Sequence, residues 1–160
     1  QVGELVYRGP NVFAGYYRRP DLAQNSFTPD GFFRTGDFFI VRDERHIGFF
    51  DRKKDIIIRG GFNISAAEVE NLVLTHPGVQ EVAAVAVPDD IMGEKTCILV
   101  VPKDKARPPT LEDIVAHLKQ IGVAAYKLPE SMKLIDVIPR NPVGKILKAQ
   151  LRQHLRAPAA

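Results

Sequence analysis

Much of what would announce a specialised protein is scarce or missing in these 160 residues. There is one cysteine, Cys97, which excludes an internal disulfide and suits a reducing compartment. Its apolar neighbours place it on a core strand. No apolar run approaches the roughly 20 residues that span a bilayer, and no leader peptide is visible. These absences point to the cytoplasm. Charge is not one-sided either: 22 Lys and Arg are interspersed with 19 Asp and Glu, a net charge of +3. That excludes a dedicated nucleic-acid binder and suits a protein that handles anionic ligands. Internal repeats and low-complexity tracts are missing as well. The chain opens on Gln1 without an initiator methionine and enters at once into a strand-like segment, so it reads as a piece of a longer polypeptide.

What is present has two textures. Residues 1–50 alternate strand signals with turns: GELVYRG is a short strand ended by Gly9 and Pro10, residues 21–26 form a short helix or turn, and residues 32–50 read as two strands around the polar tip 43–46. All but one of the nine phenylalanines lie in this half. A two-stranded unit cannot bury so many, so an apolar face is expected to await a partner. From Asp55 the pattern is that of a small, complete α+β unit. Residues 56–58 form an apolar strand ending at Gly60 and Gly61. Ser65 with Glu68, and Thr110 with Asp113, predict capping boxes at two helix starts. Strands are expected over 81–87, 96–101 and 132–138. A last helix places Leu147, Leu151 and Leu155 at i, i+4 and i+8, with Lys148, Arg152 and Gln153 outward.

The most informative stretch is NPVGKILKAQL, residues 141–151, which sets Lys145 on a mobile glycine turn before an amphipathic helix. A compact ammonium there can donate to phosphate and carboxylate oxygens. Upstream stand DRKKDIIIRGGFNISAAEVE, residues 51–70, and DGFFRTGD, residues 30–37. In this order and spacing the three blocks, with GELVYRGPNVFAGYY at residues 3–17, resemble the C-terminal part of the acyl-adenylating (AMP-forming) superfamily. That superfamily includes acyl-CoA and aryl-CoA ligases, adenylation domains and beetle luciferases. The resemblance covers nearly the whole chain.

The resemblance implies a fold and a set of roles. The fold is α+β. Residues 1–53 are a piece of the C-terminal β subdomain, a partial barrel or hairpin, of a large N-terminal domain. Residues 54–156 form the mobile C-terminal domain, and 157–160 a disordered tail. Asp37 accepts hydrogen bonds from the ribose hydroxyls of ATP or AMP, and Arg52 reaches the same ribose. Lys54 is the hinge. Gly60 and Gly61 line the path of the CoA pantetheine arm, with Tyr126 and Lys127 near the CoA nucleotide. Lys145 is required for adenylation. Pro139 and the glycine-lysine pair that follows it match a pattern recognised by lysine acetyltransferases, and acetylation of Lys145 is expected to silence adenylation.

The chain also departs from the family pattern. Asp51 stands where many members have glycine, and Ser65 replaces a common proline, although serine is itself a good N-cap. The phosphate loop, the acyl pocket and the Mg2+-coordinating residue belong to the missing N-terminal domain, so no metal ligands are expected here and the chain alone should not catalyse the overall reaction. The preferred expectation is part of a CoA ligase for a medium-chain, alicyclic or aromatic carboxylic acid. Two alternatives stay open: an aryl-acid adenylating enzyme that loads the phosphopantetheine of a carrier protein, suggested by AAYKLPE and MGEK, and a non-catalytic binding or regulatory module.

Overall fold

Alternating apolar and polar residues separated by glycine turns build the first unit, and runs that are apolar on both faces build the second. A computed structural model describes residues 1–156; the tail 157–160, expected to be disordered, lies outside them. The chain divides into two compact units, Gln1–Lys54 and the remainder from Asp55.

In the first unit, β1 (Val2–Tyr7), β2 (Phe33–Val41) and β3 (Ile47–Arg52) form an antiparallel sheet in the order β1-β2-β3, with helix α1 (Pro20–Ser26) in the β1–β2 connection. The sheet thus has three strands, because β1 adds itself to the expected hairpin. No closed barrel is formed among the described residues. The phenylalanine surplus is partly absorbed locally, since Phe13, Phe27 and Phe33 pack edge to face with Tyr7 and Tyr16. Val41, Ile47 and Phe49 stay exposed.

The second unit is a sheet between helices. Its strands are β4 (Ile56–Arg59), β5 (Phe62–Ser65), β6 (Val79–Asp89), β7 (Gly93–Pro102) and β8 (Ser131–Leu134). They run in the order β5-β4-β7-β6, with β8 parallel to β7 and the other pairings antiparallel. Period-2 alternation sends Val82, Ala84, Ile98 and Val100 to one face, against α2 (Ala66–Val73) and α3 (Leu111–Gln120). Ala83, Val85, Cys97, Leu99 and Val101 go to the other, against Ile138 of the β8–α4 connection and Leu151 of α4 (Lys148–Arg156). The continuous apolar run of β7 is what burial on both faces demands. Cys97 is buried, as its neighbours imply. Among the described residues no helix is long and apolar enough to cross a membrane.

Four local expectations are corrected. Strand β5 was unforeseen; it returns from β4 through the Gly60–Gly61 turn. The expected strand over 132–138 is the shorter β8. Thr110 and Asp113 complete a capping box, but Ser65 and Glu68 make only half of one: Ser65 accepts from the Glu68 N–H, whereas the Glu68 carboxylate pairs with Lys127. Finally, Lys148 and Arg152 do not face outward. Lys148 Nζ lies 2.8 Å from Glu70 Oε1, and Arg152 lies 3.4 Å from Asp55 Oδ1. Opposite charges on neighbouring elements turn both side chains inward.

One core atom stands out. Thr96, fully buried on β7, shares the face of Ile98 and Val100, and its hydroxyl has no hydrogen-bond partner. Thr96→Val should therefore stabilise the unit by about 1 kcal/mol in urea unfolding. A loss of stability would mean that the hydroxyl is satisfied by buried water.

Candidate functional site

In the first unit, the RTGD block folds as a bulge. Glu4 pairs with Phe38 and Val6 with Arg34, so residues 35–37 bow out of the β1–β2 ladder. Gly36 permits this with φ +71°, a backbone conformation that L side chains rarely adopt. Thr35 fastens the bulge, its Oγ1 donating to the Leu5 carbonyl at 2.7 Å and accepting from the Asp37 N–H at 3.1 Å. A second irregularity, between Phe38 and Phe39, shifts the β2–β3 register. Asp37 is the last residue of the first bulge, directly opposite Arg52, whose Nε is 3.5 Å from Asp37 Oδ1. The structure thus brings these two predicted residues together inside the sheet, not at the strand end where a turn-capping aspartate would sit. Gly36, Asp37, Arg52, Lys53 and Lys54 line a depression of ≈ 380 Å³. Beside it, Glu4 accepts from Lys53 at 2.9 Å and pairs with Arg34 at 3.2 Å. Burial pushes the Glu4 carboxyl up, but Lys53, the Gly36 backbone N–H and Arg34 together outweigh it and hold it below its ordinary range.

Lys54 sits in a single 3₁₀ turn, Lys53–Asp55. Its neighbours are each anchored within their own unit: Lys53 to Glu4 of the first, Asp55 to Arg152 of the second.

In the second unit, Gly60 and Gly61 are the two-residue loop of the β4–β5 hairpin, flanked by the Arg59–Phe62 pair. Both have positive φ, +53° and +84°, as a two-residue hairpin of this kind requires. A Cβ on Gly60 would lie 3.1 Å from Met92 Sδ, whereas one on Gly61 would meet nothing within 4 Å. Phe62, next in sequence, stacks on Tyr126 with ring centroids 4.6 Å apart. The glycine turn and the Tyr126–Lys127 segment, a 3₁₀ turn at Ala125–Lys127, therefore share one neighbourhood, in which Lys127 is paired with Glu68. Arg59 makes a two-pronged bond to Glu130, each prong 2.9 Å. That hydrogen bond raises the Arg59 pKa and lowers that of Glu130.

Lys145 lies on a turn that the structure shows to be braced, contrary to the mobile turn expected. The Asn141 carbonyl accepts from the Gly144 N–H at 2.9 Å, and its side-chain Oδ1 accepts from Val143 N at 3.2 Å and Lys145 N at 2.8 Å. Asn141 N donates to the Lys145 carbonyl at 2.9 Å. Asparagine closes such turns because its side chain mimics a backbone carbonyl. Arg140 adds a fork, one arm donating to the Gly144 carbonyl and the other to Glu81. The Lys145 side chain is exposed and, among the described residues, has no ionic or hydrogen-bonded partner. The bracing residues Arg140, Asn141 and Glu81 escaped the sequence reading; Asn141 was legible as a turn former, but nothing local pairs Arg140 with Glu81.

Residues 68–145 match the family of the AMP-binding enzyme C-terminal domain. The 2,3-dihydroxybenzoate-AMP ligase of Bacillus subtilis is 40% identical over 153 residues, 96% of this chain and 28% of that protein. The chain belongs to the AMP-forming, acyl-adenylating superfamily. Another relative in this superfamily is the medium-chain fatty-acid–CoA ligase of Escherichia coli, 40% identical over 153 residues, 96% of this chain and 27% of that protein. Among solved structures, ATP-bound MatB from Rhodopseudomonas palustris superposes with a TM-score of 0.80 at 34% identity, over 98% of this chain and 31% of that one. The chain thus spans less than a third of the length of these superfamily relatives. Its second unit is an α+β domain of the small C-terminal AMP-binding type.

Proposed function

We propose that this chain is the C-terminal portion of an ATP-dependent enzyme that adenylates a carboxylic acid and passes the acyl group to the thiol of CoA. The acid is of the medium-chain, alicyclic or aromatic class. In the first half-reaction a carboxylate oxygen attacks the α-phosphorus of ATP and pyrophosphate leaves. In the second the thiol sulfur attacks the acyl carbon and AMP leaves with the bonding pair. The observation that carries the reading is Lys145, an exposed ammonium without a partner among the described residues, at the closing end of a braced turn. Two anions must meet in the first step, and a fixed positive charge on their oxygens lowers that barrier.

The other residues take roles that fit their settings. The Asp37 carboxylate, with Arg52 opposite and a depression beside it, suits the two hydroxyls of a ribose. Lys54 is the pivot, since anchorage passes from one unit to the other across it. The Gly60–Gly61 turn, with open space beside Gly61 and the Phe62–Tyr126 stack next to it, serves the thiol half of the reaction, and Lys127 reaches the CoA nucleotide by exchanging its pairing with Glu68 for a phosphate. Acetylation of Lys145 by a lysine acetyltransferase would remove the charge and switch off the first step.

A second reading replaces CoA by the phosphopantetheine of a carrier protein, and the 40% identity to an aryl-acid–AMP ligase favours keeping it. The test uses the full-length enzyme with ATP, magnesium and CoA against benzoate, cyclohexanecarboxylate and octanoate, reading AMP and thioester by mass spectrometry. AMP together with acyl-CoA is the expected result. Adenylate that ignores CoA but loads a holo carrier protein selects the second reading. No adenylate across a broad acid panel would leave a non-catalytic module.

A further inference from the structure

The bonds that close the turn at 141–145 hold it together but leave its tilt against the sheet unset, because all of them join Asn141 to residues of the same turn. One side chain does more. Arg140 donates through Nη1 to the Gly144 carbonyl at 2.9 Å and through Nη2 to Glu81 Oε2 on β6 at 2.7 Å. The carbonyl it holds belongs to the residue immediately before Lys145. On the far side Ile146 pairs with Arg140 across an isolated bridge and packs into the α4-side core. The turn is therefore seated at both ends, by an apolar contact after Lys145 and by a charged fork before it.

Resting on the reading of Lys145 as the adenylation lysine, we infer that Arg140 and Glu81 are a positioning pair that aims the Lys145 turn, and that they serve the adenylation half-reaction without touching the substrate. Magnitudes separate this from a structural role. Both side chains are partly exposed, 43% and 36%, and ion pairs so exposed contribute little to stability. Misplacing a charged group by about 1 Å, by contrast, can cost about a hundredfold in rate. The fork also needs arginine, because one planar guanidinium reaches two acceptors at once and an ammonium does not present that geometry.

The test has two readouts. In this chain, amide exchange at Gly144 and Lys145 should quicken at least about fivefold in Arg140→Ala and Glu81→Gln, with α3 amides unchanged. In the full-length enzyme, assayed with whichever of benzoate, cyclohexanecarboxylate or octanoate it turns over best, both variants should lower kcat for pyrophosphate exchange by about 10- to 100-fold. The KM for ATP should stay within about twofold, as should thioester formation from the synthetic adenylate. Arg140→Lys should recover part of the loss. Unchanged exchange at Gly144 and Lys145 overturns the clamp, and so does an equal fall in both half-reactions. Normal adenylation by Lys145→Ala instead brings down the functional reading, and the aiming role with it.

Discussion

Lys145→Ala in the full-length enzyme should lower acyl-adenylate formation by about 10²- to 10³-fold, the loss typical of removing one preorganised charge or donor from a developing anion. Thioester formation from a supplied adenylate should continue, since the second step neutralises no pair of approaching anions. The split is the point of the experiment: a lysine needed only for folding would depress both steps together. Lys145→Arg should rescue little. Guanidinium charge is spread over a rigid planar fork, which does not reproduce the compact point charge of an ammonium. Full adenylation by Lys145→Ala would sink the assignment and return the lysine to the role of a solvated turn residue.

Glu70→Ala should cost this chain about 2–4 kcal/mol, which for a unit of this size lowers the melting temperature by about 4–8 °C per kcal/mol. Glu70 Oε1 accepts from both Lys148 Nζ and the backbone N–H of Ala84, each at 2.8 Å. The two charged side chains are only 13% and 15% exposed, so truncation leaves an ammonium and an amide poorly solvated at the same place. Pairing Glu70→Gln with Lys148→Met should restore most of the loss, because the amide keeps its acceptor and no charge remains buried. A Glu70→Ala chain within about 0.5 kcal/mol of the parent would mean that water replaces the carboxylate at little cost. The pair ties α2, β6 and α4 together, three residues beyond Lys145 in the chain.

Gly60, Gly61 and the turn before Lys145 were legible as turns because short blocks follow local rules, whereas the roles expected of Asp37, Arg52 and Lys145 came from the resemblance of their blocks to the superfamily. A glycine is needed where φ is positive and an asparagine where a turn must close. The same locality explains the errors. Glu68 three residues after Ser65 predicts a reciprocal cap, yet Lys127, 59 residues away in sequence, takes the carboxylate. Four residues, FNIS, were too short to signal β5, the more so because the last of them, Ser65, is itself the helix cap. The outward positions given to Lys148 and Arg152 came from helical periodicity alone, which takes no account of an acid on a facing strand or turn.

The three ordered blocks were enough to carry the resemblance to the superfamily, and the order of apolar, turn and capping residues was enough for the α+β class and the glycine turns, because that order reflects interactions within a few residues. Folding decided which distant residues meet: Arg140 with Glu81, Lys148 with Glu70, Arg152 with Asp55 across 97 positions, and Phe62 with Tyr126. Those pairings follow from the strand order β5-β4-β7-β6 and from the face of the sheet each helix covers. Burial of the whole core selects that order, and no single stretch of sequence encodes it.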